Sequence, residues 1–120
     1  MLVRAIRGAI TVPENTKEAI LEGTRDLLAE IINNNKIKTS DLISIIFTMT
    51  SDLNAVFPAV AAREMGLNDV PLMCSSEIDV PGSLRSCVRV LIHINTDKEG
   101  SEIKHIYLKG AAVLRPDLAK

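Results

Sequence analysis

The sequence predicts a single α+β domain over residues 1–120, a mixed β-sheet carrying its helices on one face. Three runs of residues predict it. A long amphipathic stretch follows a strand-like opening segment, a β-branched and apolar run occupies 42–49, and a cleanly alternating run occupies 87–96. Their order reads β-α-β-α-β-β-β.

Leu2 to Val12 reads as the first strand: Leu2, Ile6, Ile10 and Val12 share one parity, and Val3, Ala5, Arg7 and Ala9 the other. Pro13 ends it. Asn15 with Glu18 three residues later has the form of a helix cap. Ile20, Leu21, Thr24, Leu27, Leu28, Ile31 and Ile32 then recur at helical spacing, with Glu18, Glu22, Arg25, Asp26 and Glu30 opposite. This is a helix of about five turns. Leu42 to Met49 suits a strand buried on both faces. Pro58 fits a first helical turn and Gly66 a helix stop, so 58–65 reads as a short helix. Val70 to Cys74 is a short strand, and Pro81-Gly82 lies in a turn. In Cys87 to Thr96, Val88, Val90, Ile92 and Ile94 form an aliphatic face; Cys87, Arg89, Leu91, His93 and Asn95 form the other. Ile103 to Leu108 and Ala111 to Leu114 read as further strand.

Composition narrows the function classes. The chain is 47% apolar with no Trp, one Tyr and two Phe, too few rings for a base-stacking platform. Its 14 basic and 15 acidic residues give a net charge of -1, no general attraction to nucleic acid or anionic membrane. Cys74 and Cys87 fit neither a zinc spacing nor C-x-x-C and read as free thiols of a reducing compartment. No run of about 18 apolar residues is present, and the N-terminus does not read as a signal peptide. The expected location is the cytoplasm.

No metal-ligand cluster, nucleophile motif or phosphate-binding glycine loop is visible, so no metal or cofactor is expected. What stands out is arginine in apolar surroundings. Arg7, Arg89 and Arg115 sit among small or apolar residues, and a guanidinium that cannot lose its charge needs water, a carboxylate or an anionic ligand. Converging, they would make a site for a compact dianion. Singly, each has a plainer reading: Arg7 and Arg89 as exposed strand residues, Arg63 as a solvated helix charge, Arg115 as a strand end, Glu77 as surface, Cys74 and Tyr107 as packing.

Taken in order, the segments R-A-I-R-G-A-I-T-V, D-L-N-A-V-F-P-A-V-A-A-R-E, V-P-L-M-C-S-S-E-I-D-V-P-G-S-L, C-V-R-V-L, H-I-Y-L and A-V-L-R-P-D-L span nearly the whole chain. This set resembles the AroH class of monofunctional chorismate mutases. The resemblance implies a five-stranded mixed sheet with one long and one short helix, the chorismate mutase/RidA-like fold, assembled as a pseudo-barrel homotrimer with active sites at subunit interfaces. It implies a cofactor-free [3,3] rearrangement of chorismate to prephenate, on the shikimate route to phenylalanine and tyrosine. Arg7 would hold a substrate carboxylate, Arg89 would donate to the ether oxygen of the breaking bond, and Glu77 would accept from the ring hydroxyl. Cys74 would contact that hydroxyl and Tyr107 the enolpyruvyl carboxylate. Phe57, Ala59 and Arg63 would come from the neighbouring subunit, Met73 would contribute mainly backbone, and Leu114 and Arg115 would close over the pocket. Val60 departs from relatives that carry a basic residue at the pocket mouth, which shifts substrate capture toward Arg63 and Arg115. The tail after Leu118 is short for an ordered lid. Two other classes remain: the small trimeric imine hydrolases, whose Arg-x-Cys-type segment and Ser-Gly-Gln loop are not visible here, and a non-catalytic carboxylate-binding module.

Overall fold

The computed structural model describes residues 1–115. Its elements are β1 (Leu2–Thr11), α1 (Lys17–Asn35), β2 (Leu42–Met49), α2 (Ala59–Glu64), β3 (Leu72–Ser76), β4 (Cys87–Thr96) and β5 (Ile106–Leu108). Short 3-10 turns occupy Thr39–Asp41, Gly100–Glu102 and Lys109–Leu114. The strands form one five-stranded sheet ordered β3-β2-β4-β1-β5. Central β4 runs antiparallel to β1 and β2, while the edge strands β3 and β5 run parallel to β2 and β1. The mixed sheet with one long and one short helix stands as read from the sequence.

Packing follows the side-chain alternation. Ile6 and Ile10 of β1, Ile45 and Phe47 of β2, and Val88, Val90, Ile92 and Ile94 of β4 point to one face. There they meet Ile20, Leu27, Leu28 and Ile31 of α1 and Ala59 and Ala62 of α2. Gly8 lets α1 come this close: a Cβ there would lie 2.7 Å from Ile31 Cδ1 and 3.2 Å from the Ile106 carbonyl oxygen. The other face is sparser, with a small cluster of Ala9, Cys87, Tyr107 and Ala111 at one end. Strand β2 is therefore not buried on both faces: Ile46 and Thr48 point away from the core and are half-buried.

Several boundaries differ from the sequence reading. Thr16, not Asn15, caps α1, its hydroxyl accepting from Ala19 N at 3.1 Å. Asn15 instead tethers the loop before α2, its Oδ1 accepting from Asn54 N at 2.9 Å and Ala55 N at 3.1 Å. Pro58 precedes α2 as its cap, and Gly66, at φ +89, ends the turn beyond it. Strand β3 starts at Leu72 rather than Val70: Val70 is buried in the core, and Pro71 has no N–H to give a ladder.

The end of the chain differs most. Residues 103–105 are not strand. Asn35, 2% exposed, occupies the Lys104 backbone, with Nδ2 donating to its carbonyl (2.9 Å) and Oδ1 accepting from its N–H (2.8 Å). The Arg7 N–H is likewise taken by His105 Nδ1 at 2.9 Å, so β5 pairs with β1 only from Gly8↔Ile106 onward. Residues 111–114 form part of a 3-10 turn, not a strand. The chain swings at Lys109 (φ +53), and Gly110 N donates to Thr11 Oγ1 at 2.9 Å.

Candidate active site

The residues of interest fall on two rows of the face opposite the helices. Ladder partners place Ser75, Thr48, Arg89, Ala9 and Tyr107 side by side across all five strands. Met73, Ile46, Leu91 and Arg7 form the adjacent row, roughly 7 Å along the strands. Ala9 leaves low ground between Arg89 and Tyr107, and Glu77 follows directly on β3, its N–H donating to the Met49 carbonyl at 2.9 Å.

Arg89 Nε lies 3.4 Å from Glu77 Oε1, an ion pair whose side chains are 34% and 23% exposed. The Thr48 hydroxyl donates to the same Glu77 Oε1. Despite the pairing, Arg89 Nε is buried and makes no hydrogen bond among the described residues; the Tyr107 hydroxyl is in the same condition. Burying such groups unpaired is unfavourable by about 1–3 kcal/mol each, so two on one row are unusual for a finished surface. Cys87, beneath them, has its thiol pushed up by burial, which keeps it a neutral packing group.

The start of β4 is anchored from behind. The Asp52 carboxylate accepts Ser86 N–H at 2.9 Å and the Ser86 hydroxyl at 3.0 Å. Hydrogen bonding, from Thr50 first and Ser86 next, holds that carboxyl below its ordinary value. Ser86, at φ +55, accepts from Val12 N through its carbonyl at 2.8 Å, locking β1 and β4 together three residues before Arg89. At the other end, His105 is lowered by burial, then by the guanidiniums of Arg7 and Arg115, so these two cations lie at one end of the sheet.

The remaining sequence candidates lie elsewhere on the chain. Cys74 pairs with Phe47, so alternation turns its thiol to the helix side, away from Glu77. There a cavity of about 550 Å³ is lined by Cys74, Ser75, Met49, Val56, Phe57 and Pro58. Phe57 is 69% exposed at its edge. Ala59 is buried against the core and Arg63 is exposed on α2. Met73 is 65% exposed on the arginine face, and Leu114 packs on the Tyr107 cluster. Sequence reasoning missed Thr48, hidden in a run taken as doubly buried, and His105, whose part is a backbone contact. The tail beyond Leu118 lies outside the described residues. Among them, no group of three His, Cys, Asp or Glu side chains is placed to hold a metal ion.

Against known proteins, residues 3–118 match the family model described as chorismate mutase type I. The chain belongs to the chorismate mutase type I family. Among curated relatives it is 46% identical to chorismate mutase AroH of Bacillus subtilis, over 99% of this chain and 94% of that one. It is 49% identical to chorismate mutase AroH of Thermus thermophilus, over 98% and 97%. A solved chorismate mutase from Clostridium thermocellum superposes with a TM-score of 0.91 at 55% identity, covering 92% of this chain and 98% of that one.

Proposed function

We propose that this chain is an isomerase that rearranges chorismate to prephenate on the Arg89–Tyr107 row, toward phenylalanine and tyrosine. The observation that carries the siting is the pair of buried donors, Arg89 Nε and Tyr107 Oη, without hydrogen bonds among the described residues, on either side of Ala9. A dicarboxylate ether would satisfy both.

The reaction is a unimolecular [3,3] shift: the ether C–O bond breaks, a C–C bond forms, and no proton or electron leaves the substrate. Two terms of the barrier can be lowered. Arg7 and Tyr107 hold carboxylates so that the substrate is folded with its reacting ends together. Because C–O cleavage runs ahead of C–C formation, negative charge grows on the ether oxygen. A guanidinium already in position needs little reorganisation to meet it. Arg89 is that donor, and Glu77 both steadies it and accepts from the ring hydroxyl.

The assembly we propose is a homotrimer in the cytoplasm. The arginine face and the Phe57–Cys74 cavity lie on opposite sides of the sheet edge, so one chain presents two half-sites. A neighbour's Phe57, Ala59, Arg63 and Cys74 would close over the Arg89 face, with Leu114 and Arg115 at the open end. Exposed Phe57, Met73, Ile78 and Val80 give such a contact an apolar edge. No helix among the described residues is long and apolar enough to cross a membrane.

The test is loss of chorismate absorbance with purified protein and no added metal or cofactor, beside Arg89→Ala. Rapid conversion to prephenate that collapses in the variant supports the reading. Loss at only the spontaneous rate overturns it, and hydrolysis of imino acids would then point to the imine-hydrolase class.

A further inference from the structure

Among the described residues Glu77 is the acidic side chain paired with Arg89, and two groups converge on a single one of its oxygens. Arg89 Nε approaches Oε1 from β4, and the Thr48 hydroxyl donates to the same Oε1 from β2. Thr48 and Arg89 are direct ladder partners, so the hydroxyl and the guanidinium reach the carboxylate from adjacent strands. Both of these contacts fall on Oε1, so neither group engages Oε2. Glu77 itself lies just past the end of β3, where its N–H bond to the Met49 carbonyl ties the backbone to the sheet. The side chain therefore needs a second anchor.

We propose that Thr48 is a positioning residue for this reaction, holding the Glu77 carboxylate so that Oε2 faces the substrate hydroxyl and Oε1 only partly engages Arg89. This rests on the reading of the row as the substrate site. Its physical content is a division of labour. A carboxylate free to rotate would form a forked, two-oxygen pair with the guanidinium, the geometry that arginine and carboxylate favour when nothing opposes it. Such a pair would saturate the N–H groups that must reach the ether oxygen. By taking part of the demand of Oε1, the Thr48 hydroxyl keeps Glu77 at the 3.4 Å separation seen from Arg89 Nε. The donor stays charged and close to its partner yet unsatisfied, as Arg89 Nε is found. A serine keeps the hydroxyl; a valine keeps the shape and suits a strand, so it removes the hydrogen bond with little effect on folding.

The experiment compares Thr48→Val and Thr48→Ser with the parent enzyme, alone and in a Glu77→Ala background. Thr48→Val is expected to lower kcat roughly tenfold, the effect of one hydrogen bond to a charged group, with KM changed less. Thr48→Ser recovers most of the loss. In the Glu77→Ala background Thr48→Val has no further effect, because Thr48 acts through Glu77. Independently of turnover, the carboxyl carbon resonance of Glu77 moves in Thr48→Val and returns in Thr48→Ser. A parent enzyme without activity overturns the substrate reading, while the resonance still tests the contact. A Thr48→Val enzyme within twofold of the parent, a loss that multiplies with Glu77→Ala, or an unmoved resonance overturns the role of Thr48.

Discussion

Replacing Arg89 separates the electrostatic account from a purely steric one. In Arg89→Ala the row keeps Tyr107, Ala9 and Thr48, and the core on the opposite face of β4 is untouched. What disappears is the buried Nε donor and the partner 3.4 Å from Glu77. Removing a single aligned donor to a developing oxyanion lowers kcat by about 10²–10³, or roughly 3–4 kcal/mol. Arg89 brings a full charge into a site where its side chain is 34% exposed, so the loss belongs at or above the upper end of that range. Arg89→Lys sharpens the point. An ammonium is a point charge without the planar fork, so it can serve Glu77 or the ether oxygen but not both in the native geometry. Its kcat should fall by a similar factor although the charge is kept. The assay is continuous loss of chorismate absorbance with kcat and KM resolved, on proteins whose thermal melts match the parent. An Arg89→Ala enzyme within tenfold of parental kcat would refute the reasoning, and substrate folding alone would then have to carry the rate.

Three further perturbations probe the surroundings. Tyr107→Phe deletes a buried hydroxyl that has no partner among the described residues, so stability should hold or rise by up to about 1 kcal/mol while KM for chorismate rises; a lower melting temperature with unchanged KM would contradict this. Gly8→Ala drives a Cβ to 2.7 Å from Ile31 Cδ1 and 3.2 Å from the Ile106 carbonyl, and should destabilise by about 1–3 kcal/mol in a denaturant titration. His105 is lowered from 6.5 by burial and then by Arg7 and Arg115. The unfolded chain therefore binds the proton first as pH falls below about 6.5, and stability drops with pH in that window. His105→Gln, which can still accept from Arg7 N–H, should flatten the dependence, and an unchanged slope would remove His105 as its source.

Elements with strong periodicity were legible in the sequence. The α1 stripe, the β4 alternation and the apolar β2 run carry their own signal, because each buries a face against the same core. The misread segments are those whose backbone hydrogen bonds go to side chains. Residues 103–105 have strand-like composition, but Asn35 takes Lys104 and His105 takes Arg7 N–H. No local pattern announces a partner 69 residues away. The turn at 109–114 was missed for a related reason: Ala111 and Leu114 pack on Tyr107 and Cys87 from a 3-10 turn, and their apolar character does not reveal the period. For the site, arginine in apolar surroundings marked Arg7 and Arg89 individually. Their placement on adjacent rows depended on ladder register, which no single strand encodes. Thr48 was invisible because a threonine in a β-branched run looks like any other strand residue.

Two residues of equal burial show how packing and site residues can be told apart. Asn35 and Tyr107 are each 2% exposed. The Asn35 side chain is paired on both ends, Nδ2 giving to the Ile31 and Lys104 carbonyls and Oδ1 accepting from Lys104 N. It closes a junction between α1 and the chain entering β5, and replacing it should be felt in stability alone. The Tyr107 hydroxyl, equally withdrawn from water, has no hydrogen-bond partner among the described residues. Folding leaves that donor with an unmet demand which a ligand oxygen can satisfy, and Arg89 Nε carries the same demand across Ala9. Because both donors are fixed before the ligand arrives, the stabilisation they withhold from the free chain is available to the complex. It grows wherever charge develops on the ligand oxygen during reaction, which is the condition for catalysis rather than binding alone.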